Sequence, residues 1–306
     1  MIVGLFRVAI ADGSIRLARG PVDGGPAELL EEGLSVEIIL RRGARGLAAA
    51  LDGDGSGLPV PAGSRLLAPV DSQEVWAAGV TYERSRDARM EESAEASVYD
   101  RVYDAPRPEL FLKAAGWRVR GPGESVGIRA DSDWDVPEPE LALVVASDLT
   151  IAGFTIGNDV SSRAIEGENP LYLPQAKTYD GSCALGPALV PASAVSPPFI
   201  LRLIILRGGA PIVDEATTTA RIRRPLADLV GYLGRALELP NGAILLTGTG
   251  IVPGGPFSLQ EGDVVRIDAG PLGVLENPVV RVGRPGASPT ATPALAQGPS
   301  QPTSSP

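Results

Sequence analysis

The sequence predicts a β-rich α+β fold, and three observations predict it. Glycine and proline are abundant together, 37 and 29 of 306 residues, a composition that favours tight turns and short strands. Five segments, ELALVVA, FTIGND, FILRLIIL, AILLTGT and DVVRIDA, are strand-like in length and in β-branched content. Helical patterns are few and do not alternate regularly with the strands, so a doubly wound parallel sheet is not expected.

Taken in order, the chain opens on a hairpin. Phe6, Val8 and Ile10 alternate as a strand, Asp12-Gly13 supply the turn, and Ile15 and Leu17 begin the return. Residues 1–66 read as a small N-terminal domain ending in the flexible run LDGDGSGLPVPAG. That run starts like a calcium-binding loop at Asp52, Asp54 and Ser56, but Gly63 stands where the bidentate glutamate belongs, so a linker is expected. Residues 67–283 carry the strands above and two helices. One spans about Arg84 to Tyr99, is charged nearly all round, and reads as an exposed lid. The other follows Pro225, with Leu226, Leu229, Val230, Leu233 and Leu237 at helical spacing and Pro240-Asn241-Gly242 as its stop. From residue 284 to 306 the chain has almost no charge and no periodicity, and a disordered tail is expected.

Composition excludes whole classes of function. The net charge is −10, whereas affinity for a nucleic-acid backbone comes from clustered Lys and Arg. No run approaches the ~18 apolar residues of a membrane span. Arg7 interrupts the N-terminal apolar run and no leader pattern surrounds it, so a cytoplasmic location is expected. A single cysteine, Cys183, rules out an internal disulfide and a thiolate metal cage. The chain has no histidine, which removes Ser-His and Cys-His nucleophile pairs and any histidine base or ligand. Only Lys113 and Lys177 among its 27 basic residues are lysine, which marks both positions.

What chemistry remains must use carboxylates, lysine, hydroxyls or an oxygen-ligated metal. Glu138 and Glu140 lie two apart at the head of an apolar strand and so share a face. Alone they could be a solvated acidic pair blunting a sheet edge. Asp159 ends the strand FTIGND; alone it could be a turn residue. Together the three carboxylates form an oxygen set suited to Mg²⁺, Mn²⁺ or Ca²⁺ rather than zinc. Lys177 lies in the polar run NPLYLPQAKTYDGS and is a candidate proton shuttle or enolate stabiliser beside such a metal. Thr249, flanked by glycines in LTGTG, could gather donors around an anion or merely end a strand. Glu109 and Lys113 flank a short apolar strand and could simply be a salt-bridged pair.

In combination and order, these segments resemble the fumarylacetoacetate hydrolase superfamily from about Val75 to Pro278. The resemblance implies a β-roll catalytic domain, a metal held by Glu138, Glu140 and Asp159, and a homodimer or homotetramer. The stretch EGENPLYLPQAKTYDGSCALGP, with GVTYERSRDAR and RPELFLK, is most similar to the subgroup that dehydrates 2-keto-3-deoxy-D-arabinonate. Hydrolases of the superfamily carry a lid of the form GLNYxxHxxE, whose His and Glu activate water. Here Ser85 stands at the His position and Ala88 at the Glu position. That departure argues against water-activated C–C cleavage. The resemblance therefore implies a metal-dependent dehydratase that converts a 2-keto-3-deoxy sugar acid to 2,5-dioxopentanoate. Lys177 and Glu109 would be its catalytic groups, and Thr249 and Tyr82 would hydrogen-bond the substrate. An acylpyruvate hydrolase or oxaloacetate decarboxylase with the same metal site is the alternative. A non-catalytic metal-binding module is the alternative of another class.

Overall fold

The computed structural model describes residues 1–53, 55–92, 101–254 and 257–284. Its strands are β1 (Val3–Ala9), β2 (Ile15–Pro21), β3 (Glu28–Leu29), β4 (Arg65–Leu67), β5 (Glu74–Gly79) and β6 (Glu109–Ala115). They continue as β7 (Val126–Arg129), β8 (Asp135–Val136), β9 (Pro139–Val145), β10 (Ile151–Asp159), β11 (Ser161–Ser162) and β12 (Cys183–Pro191). The last are β13 (Ile200–Arg207), β14 (Ala210–Thr218), β15 (Ala243–Leu246), β16 (Val264–Asp268) and β17 (Val274–Val282). The helices used below are α1 (Val36–Arg41), α2 (Gly46–Asp52), α3 (Glu83–Glu92), α4 (Arg163–Glu168), α5 (Leu173–Lys177) and α6 (Leu226–Leu233).

A ten-stranded mixed sheet runs β3-β2-β1-β12-β10-β9-β15-β5-β6, with β4 beside β1. A five-stranded sheet, β14-β13-β16-β17-β7, lies against it, and β8 and β11 form a small pair. The expected strand-rich α+β architecture is present. Strand β9 is buried at every position, which is why its residues from Leu141 to Val145 read as an unbroken apolar run. Leu141, Leu143 and Val145 pack toward the five-stranded sheet and α6, with Leu203, Ile205, Ile267, Leu229 and Val230. Ala142 and Val144, on the other face, pack with Ile39, Leu40 and Leu47 of α1 and α2. Strand β13 instead alternates exposed and buried residues from Ile200 to Leu203, as a sheet face open to water requires.

The N-terminal hairpin forms as expected. Asp12 Oδ1 accepts from the Ser14 N–H at 2.8 Å, and Gly13 takes φ +87° in the turn. Leu5 of β1 pairs with Leu189 of β12, so the hairpin joins the large sheet. Leu5 and Leu17 belong to one core with Val144 and Ile244, so apolar packing is continuous across residue 66.

Two helices differ from expectation. The helix after Pro225 ends at Leu233, capped by Gly234, and Leu237 lies beyond it with 38% of its surface exposed. Helical spacing at Leu237 was coincidental, because Gly234 stops the helix first. The charged helix begins at Glu83 and reaches Glu92; its expected continuation lies outside the described residues, as does the expected tail beyond Arg284. Among the described residues no helix is long and apolar enough to cross a membrane.

Candidate active site

The site forms where β9 and β10 end. Glu140 continues the face of Ala142 and Val144, and β9 pairs antiparallel with β10 so that Glu140 is opposite Gly157. The Asp159 N–H donates to the Glu138 carbonyl at 2.9 Å, which sets those two residues side by side. Gly157 lets Leu246 pack close to the strand: a Cβ there would stand 2.2 Å from Leu246 Cδ2, so a larger residue would push that leucine aside. Glu138, Glu140 and Asp159 each offer a carboxylate oxygen, and these atoms lie within 4.8 Å of one another. All three are buried, at 4%, 1% and 1% exposure.

Three buried cations surround them. Lys177, at the end of α5, donates to Glu138 Oε2 at 2.9 Å, Asp159 Oδ2 at 3.2 Å and Ser161 Oγ at 2.6 Å. Arg163 Nη2 meets Glu138 Oε1 at 3.0 Å. Lys113 Nζ meets Asp159 Oδ1 at 2.5 Å and also donates to the carbonyls of Val160 and Lys177. The sequence left open a plain salt-bridged pair of Glu109 and Lys113; the structure pairs Lys113 with Asp159. A period-2 strand puts Glu109, Phe111 and Lys113 on one face of β6, but the lysine reaches across to β10.

Glu138 and Asp159 thus each receive two cations, whereas among the described residues Glu140 accepts only the Gly248 N–H, at 2.6 Å. Burial first, and then the charges of Asp159 and Glu138, push the Glu140 carboxyl well above the ordinary carboxylate range. Burial pulls the Lys113 ammonium downward, opposed by Asp159. Cys183 is no nucleophile, since burial pushes its thiol up to about 12.

A pocket opens onto the triad. Besides the carboxylates and Lys177 it is lined by Ser85 of α3, Glu109, Phe111, Glu166, Gly248 and Thr249. Gly79, opposite Glu109 in the sheet, makes room for that side chain: a Cβ there would stand 2.0 Å from Glu109 Oε2. The Thr249 hydroxyl donates to the Ile251 carbonyl at 3.1 Å and accepts from the Ile251 N–H at 3.2 Å, closing its own loop. Tyr82 is buried behind that loop against Gly250, and burial, then the Glu140 charge, raises its hydroxyl. Arg163 and Glu166, both buried, escaped the sequence reading. Their signal was an i,i+3 charged pair one turn past Asp159, on a helix whose N-cap Ser162 accepts from the Ile165 N–H.

Comparison with known proteins bears on this geometry. A family model described as fumarylacetoacetate (FAA) hydrolase C-terminal matches residues 74–280. A Haloferax volcanii protein named "Probable 2-keto-3-deoxyxylonate dehydratase" is 51% identical over 216 residues, covering 70% of this chain and 74% of the relative. The 2-dehydro-3-deoxy-D-arabinonate dehydratase of Saccharolobus solfataricus is 43% identical over 221 residues, with the same 70% and 74% coverage. A solved structure of 2-keto-3-deoxy-D-arabinonate dehydratase complexed with magnesium and 2,5-dioxopentanoate superposes with a TM-score of 0.79. It is 34% identical, and the match covers 92% of this chain and 99% of that one. By these matches and by its fold, the chain belongs to the fumarylacetoacetate hydrolase family.

Proposed function

We propose that this protein is a magnesium-dependent hydro-lyase that dehydrates a five-carbon 2-keto-3-deoxy sugar acid to 2,5-dioxopentanoate. One observation carries the reading: three buried carboxylates converge within 4.8 Å beside the Lys177 ammonium, in a chain that has no histidine. The dehydratases at 51% and 43% identity support it.

The residues present fit a hard divalent cation. The donors are all oxygen, and Glu140 is pressed by two neighbouring carboxylates with one N–H as its partner. Glu138, Glu140 and Asp159 would hold the ion, which when bound polarises the 2-keto group as a Lewis acid. Lys177 is fixed by Glu138, Asp159 and Ser161, so its charge is preorganised for the negative charge that develops on the keto oxygen. Glu109 takes the proton from C3, and the Glu109 carboxyl so protonated assists the departure of the C4 hydroxyl as water, while the Lys177 ammonium holds the enolate charge. The C3–H and C4–O bonds break, a C3–C4 double bond forms, and tautomerisation of the remaining C5 alcohol gives the aldehyde of the product. Thr249 borders the substrate through its loop, and Tyr82 supports that loop from behind. We further infer a cytoplasmic homodimer or homotetramer whose partner is this small 2-keto acid.

The test is an assay of 2-keto-3-deoxy-D-arabinonate with and without Mg²⁺, following 2,5-dioxopentanoate. Turnover that chelator abolishes and Mg²⁺ restores is expected. Cleavage of acylpyruvate without any dehydration would overturn the reading in favour of a hydrolase. Loss of thermal stability on chelation, with no 2-keto acid consumed, would favour a structural metal module.

A further inference from the structure

Ser85 stands in the first turn of α3, lines the same pocket as the carboxylates, and is only 5% exposed. Among the described residues the structure records no side-chain hydrogen bond of Ser85, and its Oγ is not one of the atoms shut away from solvent without a partner. That hydroxyl is not sealed in the protein interior but opens onto the pocket, so it is available to a ligand there. The other uncharged hydroxyl lining the pocket, Thr249, already spends its donor on Ile251.

We propose that Ser85 is a specificity-determining residue that hydrogen-bonds the terminal C5 hydroxyl of the substrate; this rests on the dehydratase reading above. A five-carbon 2-keto-3-deoxy acid presents three polar regions. Its carboxylate and 2-keto oxygen belong with the triad and Lys177. Its C4 hydroxyl is the leaving group and belongs with the acid. The C5 hydroxyl remains, and it both donates and accepts, as a serine hydroxyl does. A neutral partner suits it, because it carries no charge before or after reaction. Apolar neighbours in the pocket, Phe111 and Leu173, offer no competing bond. A terminal methyl would leave the Ser85 hydroxyl buried and unpaired, so a substrate with that methyl is disfavoured.

The experiment compares the Mg²⁺-loaded wild type and S85A on two substrates. One is 2-keto-3-deoxy-D-arabinonate; the other is 4-hydroxy-2-oxopentanoate, which keeps C1 to C4 and carries a methyl in place of the terminal CH₂OH. Wild type is expected to favour the first in kcat/KM by roughly tenfold, the worth of about one neutral hydrogen bond. S85A is expected to lose that preference by losing activity on the first substrate alone, mainly through KM, with an unchanged melting temperature. An equal loss on both substrates, or an unchanged preference, overturns the assignment while leaving the dehydratase reading intact. A wild type that dehydrates neither substrate overturns both.

Discussion

On the outer face of the five-stranded sheet, Arg202 meets Asp214 at 2.6 Å with about half of each side chain exposed. At the triad, Lys177 meets Asp159 at a longer 3.2 Å with 2% of each exposed. Distance ranks these pairs one way and consequence ranks them the other. The surface pair is solvated on both sides and is screened by salt, so holding it together changes little. The buried pair has no water to fall back on, and removing one partner strands a charge in a low dielectric. Of the three carboxylates, Glu140 is the one whose ionised form is disfavoured, by burial and by the charges of Asp159 and Glu138. Each prediction below tests whether burial, rather than contact length, decides what a charge does here.

The largest effect is expected at Glu140. E140Q keeps the shape but removes the ligand with no cationic protein partner. Metal-dependent turnover should fall beyond the about 10–100-fold that losing an outer partner of a metal site costs. Stability without metal should move the opposite way. Glu140 has a raised carboxyl in the folded protein. Its contribution is complete below the ordinary carboxylate range and is lost as pH rises through that raised value. Gln has no such loss. In chelator at neutral pH, E140Q should therefore melt above the wild type, and the gap should close as the pH is lowered. Full activity in E140Q would break the triad assignment, and a lower melting temperature would break the repulsion argument.

How much of this was legible before folding depends on the kind of information each residue carries. The carboxylates were readable because strand periodicity alone puts Glu138 and Glu140 on one face, and Asp159 sits at a recognisable strand end. Strands β12 and β14 were not read. Strand β12 contains Pro187, which lacks a ladder donor and falls where its register with β10 shifts between Phe154 and Ile156. Only a tertiary partner makes that segment a strand. The direction of Lys113 was likewise invisible, since Glu109 is its sequence neighbour on β6 while Asp159 is its neighbour in space. Ser85 was read as a missing histidine, and only the pocket makes it a positive feature.

Lys113 gives the next largest effect. All three ammonium donors are committed, to Asp159, Val160 and Lys177. It holds one Asp159 oxygen and the main chain that carries Lys177, without lining the pocket. It acts as a positioning residue. K113M keeps the stem and removes the charge. Breaking this buried pair from one side should cost about 3–5 kcal/mol of folding stability, read from urea melts. Mg²⁺ affinity, read by calorimetry on the folded variant, should weaken by about 10–100-fold. Wild-type metal affinity in a destabilised K113M would mean that Lys113 serves packing alone, and that burial of a charge need not serve the site.

The smallest effect is expected at the surface pair, and its smallness is the sharper half of the comparison. Arg202 holds the Asp214 carboxyl below its usual range through two hydrogen bonds, at 2.7 and 2.6 Å. A lowered carboxyl contributes stability above the unfolded value and loses it as pH falls. Both side chains are about half exposed, however, so water and salt ions replace most of what the partner provides. D214N should leave the urea midpoint unchanged at neutral pH in moderate salt. Its stability profile from neutral pH down to the carboxylate range should overlay that of the wild type. Catalysis should be untouched, because β13 and β14 present this pair away from the pocket. If D214N instead destabilised the fold as strongly as K113M, contact length would outrank burial. The buried cluster would then owe its importance to geometry that any surface pair could reproduce.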